Sequence, residues 1–133
     1  MDKQIKPKLL LAKMGLDCHD TGITTLAYLL RDWGYETIYL GLHNSAERIL
    51  QAAVEEDVNV IGLSFLSGQH LVQTEKLLIQ MKEQQLQIPV ILGGIIPRHD
   101  IHTLKEVGVA EVFTPGSMSG TIADYLKKLL DSA

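Results

Sequence analysis

A histidine between two carboxylates follows the first apolar run of the chain, as Asp17, His19 and Asp20. Histidine is the commonest metal ligand, and a carboxylate two residues away can accept the hydrogen on its other ring nitrogen. No further ligands stand at metal-site spacing, and Cys18 should point away from His19 in an extended loop. A single protein ligand suits a metal whose other positions are filled by a macrocycle. The alternative is a polar surface histidine.

Apolar runs of strand length alternate with stretches of helical period, and this pattern places the histidine on a loop. We predict strands over 8–14, 37–40, 58–65, 89–92 and 110–113. Helices are predicted from apolar residues at helical spacing over about 23–33, 46–54, 69–84, 101–107 and 122–130. Five such βα units predict one α/β domain over 1–133, with its core at about 8–130. The expected sheet is doubly wound, parallel and flavodoxin-like (Rossmann-like), with strand order 2-1-3-4-5.

Helix ends are indicated by individual residues. Gly34 and Gly108 are placed to end helices, because glycine tolerates the left-handed conformation after a last turn. Asn44 or Ser45 is expected to cap the second helix. The predicted inner face of that helix consists of Ala46, Ile49, Leu50, Ala53 and Val54.

Ligands of doubly wound sheets bind beyond the carboxyl ends of the strands, where the strand order reverses. That rule selects the loops 15–22, 64–69, 93–98 and 114–120. All four are rich in small residues. The backbone could therefore approach a large ligand closely at several points.

Composition excludes several classes of function. The formal net charge is −4 and no cluster of Lys and Arg occurs, which argues against nucleic acid. The single cysteine, Cys18, cannot form an internal disulfide and fits a reducing compartment. No stretch approaches the roughly 20 apolar residues that cross a bilayer. We therefore expect a soluble cytoplasmic protein without a membrane partner.

Three short motifs at these strand ends resemble the signature of cobalamin-binding domains. That signature is Asp-x-His-x-x-Gly, then Ser-x-Leu, then Gly-Gly. The chain has Asp17-Cys18-His19-Asp20-Thr21-Gly22, Ser64-Phe65-Leu66 and Gly93-Gly94 in that order. The resemblance extends over nearly the whole chain, from about residue 8 to residue 130.

The resemblance implies base-off binding, in which the dimethylbenzimidazole base leaves the cobalt and His19 becomes the lower axial ligand. Asp17 would hydrogen-bond His19 from behind, and Lys13 would pair with Asp17; these three form the expected catalytic set. The displaced nucleotide tail would enter a slot between the sheet and a helix, where Ser64 would contact its base. Further contacts are implied for Cys18, Asp20, Thr21 and Gly22 at the lower corrin face, Leu66, Gly68, Gly93 and Gly94 along the slot, and Phe113 and Ser117 at the nucleotide end.

The finer resemblance is to acyl-CoA mutases. Residues 13–20 and 93–97 are similar to methylmalonyl-CoA mutase, and residues 62–70 are closer to the small subunits of isobutyryl-CoA and 2-hydroxyisobutyryl-CoA mutases. This implies an isomerase that uses adenosylcobalamin to rearrange the carbon skeleton of an acyl-CoA by radical chemistry. It also implies a hetero-oligomer, expected as a heterotetramer, in which a large TIM-barrel subunit binds the acyl-CoA.

Two alternatives stay open from the sequence. The glutamate mutase small subunit also has Asp-Cys-His, but with a longer segment after Gly-Gly than the run from Gly94 to Phe113. Corrinoid methyl carriers usually have a helical bundle before this domain, for which this chain is expected to lack room.

A receiver domain would need Asp at the end of strand three, where this chain has Ser64 or Phe65. A flavodoxin would need a Ser/Thr-rich phosphate loop after strand one.

Overall fold

A five-stranded parallel sheet of order β2-β1-β3-β4-β5 organises the chain. The computed structural model describes residues 7–13, 30–32, 34–41, 44–65, 70–94, 96–113 and 119–131. The strands are β1 (Lys8–Lys13), β2 (Glu36–Tyr39), β3 (Val60–Phe65), β4 (Val90–Gly94) and β5 (Glu111–Phe113). The helices are α1 (Ala46–Glu56), α2 (His70–Glu83), α3 (Arg98–Val107) and α4 (Ser119–Asp131), and residues 30–32 are also helical. The predicted fold class and strand order are confirmed.

Some strand boundaries differ from the prediction because residues at the predicted strand ends belong to neighbouring turns. The third strand begins at Val60 rather than at Val58. Asp57 is left-handed, with φ of 54°, and the Val58 amide donates to the carbonyl of Ala53 to close α1. Val58 thus belongs to the turn that closes α1, although it is as apolar as the strand that follows. The second strand begins one residue earlier and the fifth one residue later than predicted.

Helix α1 begins after a serine cap, and its buried apolar stripe ends one residue earlier than predicted. Ser45 Oγ accepts a hydrogen bond from the Arg48 amide at 3.1 Å, so Ser45 is the cap. Asn44 instead donates from its side chain to the Gly41 carbonyl at 2.8 Å, which holds the preceding turn. Val54 was predicted on the inner face. That prediction is wrong, because Val54 is 53% exposed. It lies one helical step beyond Ala53, past the edge of the buried stripe.

Glycines with positive φ close two of the helices, as predicted. Gly34 has φ of 98°, and its amide donates to the carbonyl of Arg31. Gly108 has φ of 123° and follows the last residue of α3, with its amide on the Lys105 carbonyl. A side chain at either position would be strained, because φ in this region favours glycine.

Each face of the sheet packs against its own group of helices. The larger cluster joins alternate strand residues to α1, α2 and α3, through side chains such as Ile49, Leu77 and Leu104. The smaller cluster joins the other strand residues to α4 and to the helical residues 30–32, through Leu30, Ile122 and Leu126. Among the described residues, nine large side chains are almost fully buried: Leu9, Leu10, Leu30, Ile49, Leu50, Ile61, Leu77, Leu92 and Leu104.

The edge strand β5 is tied to α3 by an ion pair. Lys105 Nζ lies 2.7 Å from Oε1 of Glu111, and the same oxygen accepts a hydrogen bond from the Val112 amide at 3.0 Å. Burial would raise the pKa of Glu111, but the hydrogen bonds from Lys105 and Val112 and the charge of Lys105 outweigh it. The pKa of Glu111 therefore lies below its ordinary value of 4.5.

Replacing Glu111 with glutamine is expected to lower the free energy of unfolding by less than about 1 kcal/mol at neutral pH, because the pair is partly exposed. A depressed folded pKa contributes stability that is present above the unfolded pKa and lost as the pH falls through the folded value. The difference between parent and variant should thus vanish in acid. Urea unfolding at neutral pH and at about pH 3 measures this. Glu106→Gln, at an exposed carboxylate of α3, is the control, and an undiminished difference in acid would contradict the assignment.

Candidate cofactor site at the carboxyl edge of the sheet

Four residues of the predicted site form one row across the sheet. Lys13 pairs in register with Ser64, Ser64 with Gly93, and Gly93 with Phe113. Parallel strands lie about 4.8 Å apart, and register partners point to the same face. The row is therefore a continuous surface near the carboxyl ends of β1, β3, β4 and β5, where doubly wound folds bind ligands.

Ser64, Gly93 and Phe113 of this row face the side of the sheet that α4 covers. Phe113 packs with the cluster that contains Ile122 and Leu126 of α4. The residues one step earlier on each strand, Ala12, Leu63, Leu92 and Val112, belong to the opposite face and its larger cluster. Ser64, half-buried, and Gly93 therefore border the layer between the sheet and α4. We call this layer beside Gly93 the slot; that a nucleotide tail enters it stays a prediction of the resemblance.

Gly93 leaves space in the middle of the row. Among the described residues, a Cβ added at Gly93 would meet only the backbone oxygen of Phe113, at 3.7 Å. That distance is an ordinary van der Waals contact. The described residues therefore leave room for an added carbon beside Gly93, between the hydroxyl-bearing Ser64 and the aromatic Phe113.

On the same face, the adjacent row toward the amino ends of the strands is filled by side chains. It consists of Leu11, Gly62, Ile91 and Glu111, which are register partners. A Cβ at Gly62 would lie 2.7 Å from Cδ2 of Leu11, so the Leu11 side chain already occupies the space above that glycine. Leu11 is 3% exposed and Ile91 is 7% exposed. The slot is therefore shallow in this direction and has an apolar floor.

An aromatic pair bounds the row at β5. The ring centroids of Phe113 and Tyr125 are 5.5 Å apart, with planes at 76°, an edge-to-face arrangement. The Tyr125 hydroxyl donates to the carbonyl of Ala110 at 3.1 Å. Burial, followed by the charge of Glu111, raises the pKa of Tyr125, so this hydroxyl keeps its proton. A hydroxyl, a gap beside a glycine, an apolar floor and an aromatic side fit a flat, largely apolar aromatic group such as a benzimidazole.

The Gly-Gly motif lies within a strand, which corrects the predicted boundary. Gly93 and Gly94 were assigned to the loop 93–98, whereas β4 extends through Gly94. Both glycines pair with β3, Gly93 with Ser64 and Gly94 with Phe65. Glycine lowers strand propensity, but an inner strand flanked on both sides by parallel strands keeps its ladder. The two motifs are thereby held side by side.

The remaining predicted site residues belong to three of the loops that the sequence predicts. Asp17, Cys18, His19, Asp20, Thr21, Gly22, Leu66, Gly68 and Ser117 lie outside the described residues, so their predicted roles stay predictions. His70 begins α2 and His43 also lies outside the described residues. His99 and His102 lie outside the predicted site, and their side chains are 84% and 82% exposed.

Two contributors to the slot were not recognised as site residues in the sequence. Tyr125 was predicted only as part of the inner stripe of the last helix, and Leu11 only as part of a strand. The available signal was weak: Tyr125 is the one aromatic residue of that stripe. Its contact with Phe113 joins positions twelve apart in different elements, which periodicity along one element does not indicate.

The described part of the chain contains neither a cluster of metal ligands nor a membrane-spanning helix. Within it, no group of three or more His, Cys, Asp and Glu side chains could hold a metal ion. No helix there has the length and apolar character that crossing a bilayer requires.

Known proteins match this chain over most of its length. The B12 binding domain family matches residues 7–119. The 2-hydroxyisobutanoyl-CoA mutase small subunit of Aquincola tertiaricarbonis is 38% identical over 124 residues, which cover 92% of this chain and 91% of that protein. Ethylmalonyl-CoA mutase of Cereibacter sphaeroides is 39% identical over 108 residues, which cover 81% of this chain but 17% of that protein.

Solved structures support the fold. A cobalamin-binding protein from Desulfitobacterium hafniense DCB-2 has a TM-score of 0.79 at 20% identity, over 92% of this chain and 58% of that chain. The signal receiver domain of the response regulator NarL from Mycobacterium tuberculosis has a TM-score of 0.72 at 12% identity, over 96% of this chain and 98% of that chain. These likenesses establish architecture alone, because one fold serves many functions. The sequence match decides between them, and the chain belongs to the B12 binding domain family.

Proposed function

We propose that this chain is the cobalamin-binding subunit of an adenosylcobalamin-dependent acyl-CoA mutase of the isobutyryl-CoA or 2-hydroxyisobutyryl-CoA type. The observation that carries the proposal is its 38% identity to a mutase small subunit across 91% of that protein. The open space beside Gly93, in register with Ser64 and Phe113, supports it independently.

In this proposal the first loop provides the ligand of the cobalt. His19 would hold the cobalt through one ring nitrogen, and Asp17 would accept the hydrogen on the other ring nitrogen. Such an outer hydrogen bond fixes the tautomer and raises the basicity of the imidazole. Lys13, the last residue of β1, pairs with Asp17. Cys18, Asp20, Thr21 and Gly22 surround the lower face of the corrin.

The row across the sheet anchors the nucleotide tail. Ser64 contacts the base through its hydroxyl, and Gly93 provides the room for the ring. Phe113 bounds the base at the β5 side. Leu66, Gly68, Gly94 and Ser117 complete the slot. When bound, adenosylcobalamin supplies the radical chemistry of the rearrangement, while the protein binds it, orients it and excludes water.

A second, larger subunit is expected to bind the acyl-CoA. The chain spans 17% of ethylmalonyl-CoA mutase, so most of that enzyme has no counterpart here. A second chain, similar to the rest of that enzyme and containing a TIM barrel, would supply the substrate pocket. The two chains would form a cytoplasmic hetero-oligomer, expected as a heterotetramer. This chain would then present the cofactor to that barrel.

The axial ligand is tested by labelling histidine with nitrogen-15 and recording the electron paramagnetic resonance spectrum of bound cob(II)alamin. We expect the hyperfine splitting to change on labelling, because the axial nitrogen comes from imidazole. The label must lose its effect in His19→Ala and keep it in His102→Gln, at a histidine that is 82% exposed. A splitting that is unchanged by the label would mean that the benzimidazole stays on the cobalt, and the proposed mode of binding would be wrong.

A further inference from the structure

Tyr125 contacts the ring of Phe113 and also bonds the backbone just before β5. The edge-to-face contact joins the ring centroids at 5.5 Å. The hydrogen bond from the Tyr125 hydroxyl reaches the carbonyl of Ala110, the residue that precedes β5. One side chain of α4 thus contacts both the start and the end of this three-residue strand. The position of the Phe113 ring is therefore coupled to α4.

The space that a displaced Phe113 ring could enter lies next to it. Phe113 and Gly93 are register partners on the same face, and the described residues leave room beside Gly93. Apolar side chains tend to fill such a gap, because an unfilled one loses dispersion contacts. The row below offers no alternative, since Leu11 already occupies the space above Gly62.

We propose that Tyr125 is a positioning residue that keeps the Phe113 ring out of the space beside Gly93. The slot then stays open to the planar base of the cobalamin nucleotide tail. This inference rests on the proposed function and extends it to a residue that lies in none of the recognised motifs. Its consequence is selective, because Tyr125 affects only corrinoids that carry a nucleotide base.

Cobinamide provides the comparison, since it has the corrin ring and the cobalt but no nucleotide. Binding of cobalamin and of cobinamide to the full chain is measured by titration, followed by visible absorption. In Tyr125→Leu the affinity for cobalamin should fall by up to about tenfold, the scale of one aromatic pair. The affinity for cobinamide should not change. Tyr125→Phe keeps the ring and loses the hydrogen bond, so its loss should be smaller.

Tyr35→Leu is the matched control. Tyr35 is 7% exposed in the same cluster, but it precedes β2, at the amino end of the sheet. Its replacement should leave the ratio of the two affinities at the parent value. If Tyr125→Leu does not fold, Tyr125→Phe decides the matter, and it must lower that ratio.

The outcomes separate the two proposals. A parent chain that binds cobinamide as tightly as cobalamin would overturn the nucleotide slot, and this inference with it. A parent that prefers cobalamin, with Tyr125 variants that keep the full preference, would overturn the role of Tyr125 alone. Equal losses for both corrinoids would also overturn it, because that result indicates a general loss of structure.

Discussion

Replacing His19 with alanine is expected to remove the protein ligand from the cobalt and to produce the largest loss of function of any single substitution. The loss of cofactor affinity and turnover should exceed the roughly 10–100-fold loss that follows removal of an outer hydrogen-bonding partner. The reason is that the metal–nitrogen bond itself is lost. Cofactor affinity is measured on this chain by visible titration, and turnover is measured in the enzyme reconstituted with its large subunit.

Asp17→Asn provides the graded comparison for His19→Ala. It leaves the imidazole in place and weakens only the bond behind it, so a loss of roughly 10–100-fold is expected. The unfolding midpoint of both variants should stay near that of the parent. If His19→Ala retains parental affinity and turnover, or Asp17→Asn has no effect, the proposed ligand arrangement is wrong.

Replacing Gly93 with valine is expected to block the slot without unfolding the chain. The added Cβ makes an ordinary contact, 3.7 Å from the Phe113 backbone oxygen, and a β-branched residue suits a strand. Its two methyl groups would take the room assigned to the base. Overpacking costs about 1–3 kcal/mol, which corresponds to roughly 5–150-fold in affinity. Cobalamin affinity should fall by this factor, while cobinamide affinity should stay unchanged.

Leu92→Val is the control for Gly93→Val. It changes the neighbouring residue of β4, whose side chain lies in the larger cluster on the opposite face. It should lower the stability slightly and leave the preference for cobalamin intact. A Gly93→Val chain that folds and still prefers cobalamin over cobinamide as the parent does would show that the base binds elsewhere.

Much of the architecture follows from local patterns. Apolar runs of strand length and stripes of helical spacing lie within single elements, so they can be recognised without knowing what packs on them. Gly34, Gly108 and the cap at Ser45 act through the backbone of their own turns, and the structure confirms them. Short connections and the handedness of crossovers then leave few strand orders.

The candidate site likewise has features that the sequence indicates and features that only the structure shows. The motifs around His19, Ser64 and Gly93 could be identified because each is contiguous in the chain. That Ser64, Gly93 and Phe113 stand in one row depends on strand register, which the structure decides. The boundary of β4 was missed for the same reason: pairing with β3 keeps two glycines in a strand, despite their low propensity.

The chain alone therefore determined the order of elements, the candidate ligand motif at Asp17 and His19, and the family resemblance, because these depend on residue types at short spacing. Only the tertiary structure decided that Leu11 fills the space above Gly62, that the space beside Gly93 is open, and that Tyr125 contacts Phe113. Those features arise where side chains from different elements compete for the same volume. Such competition is settled by packing in three dimensions.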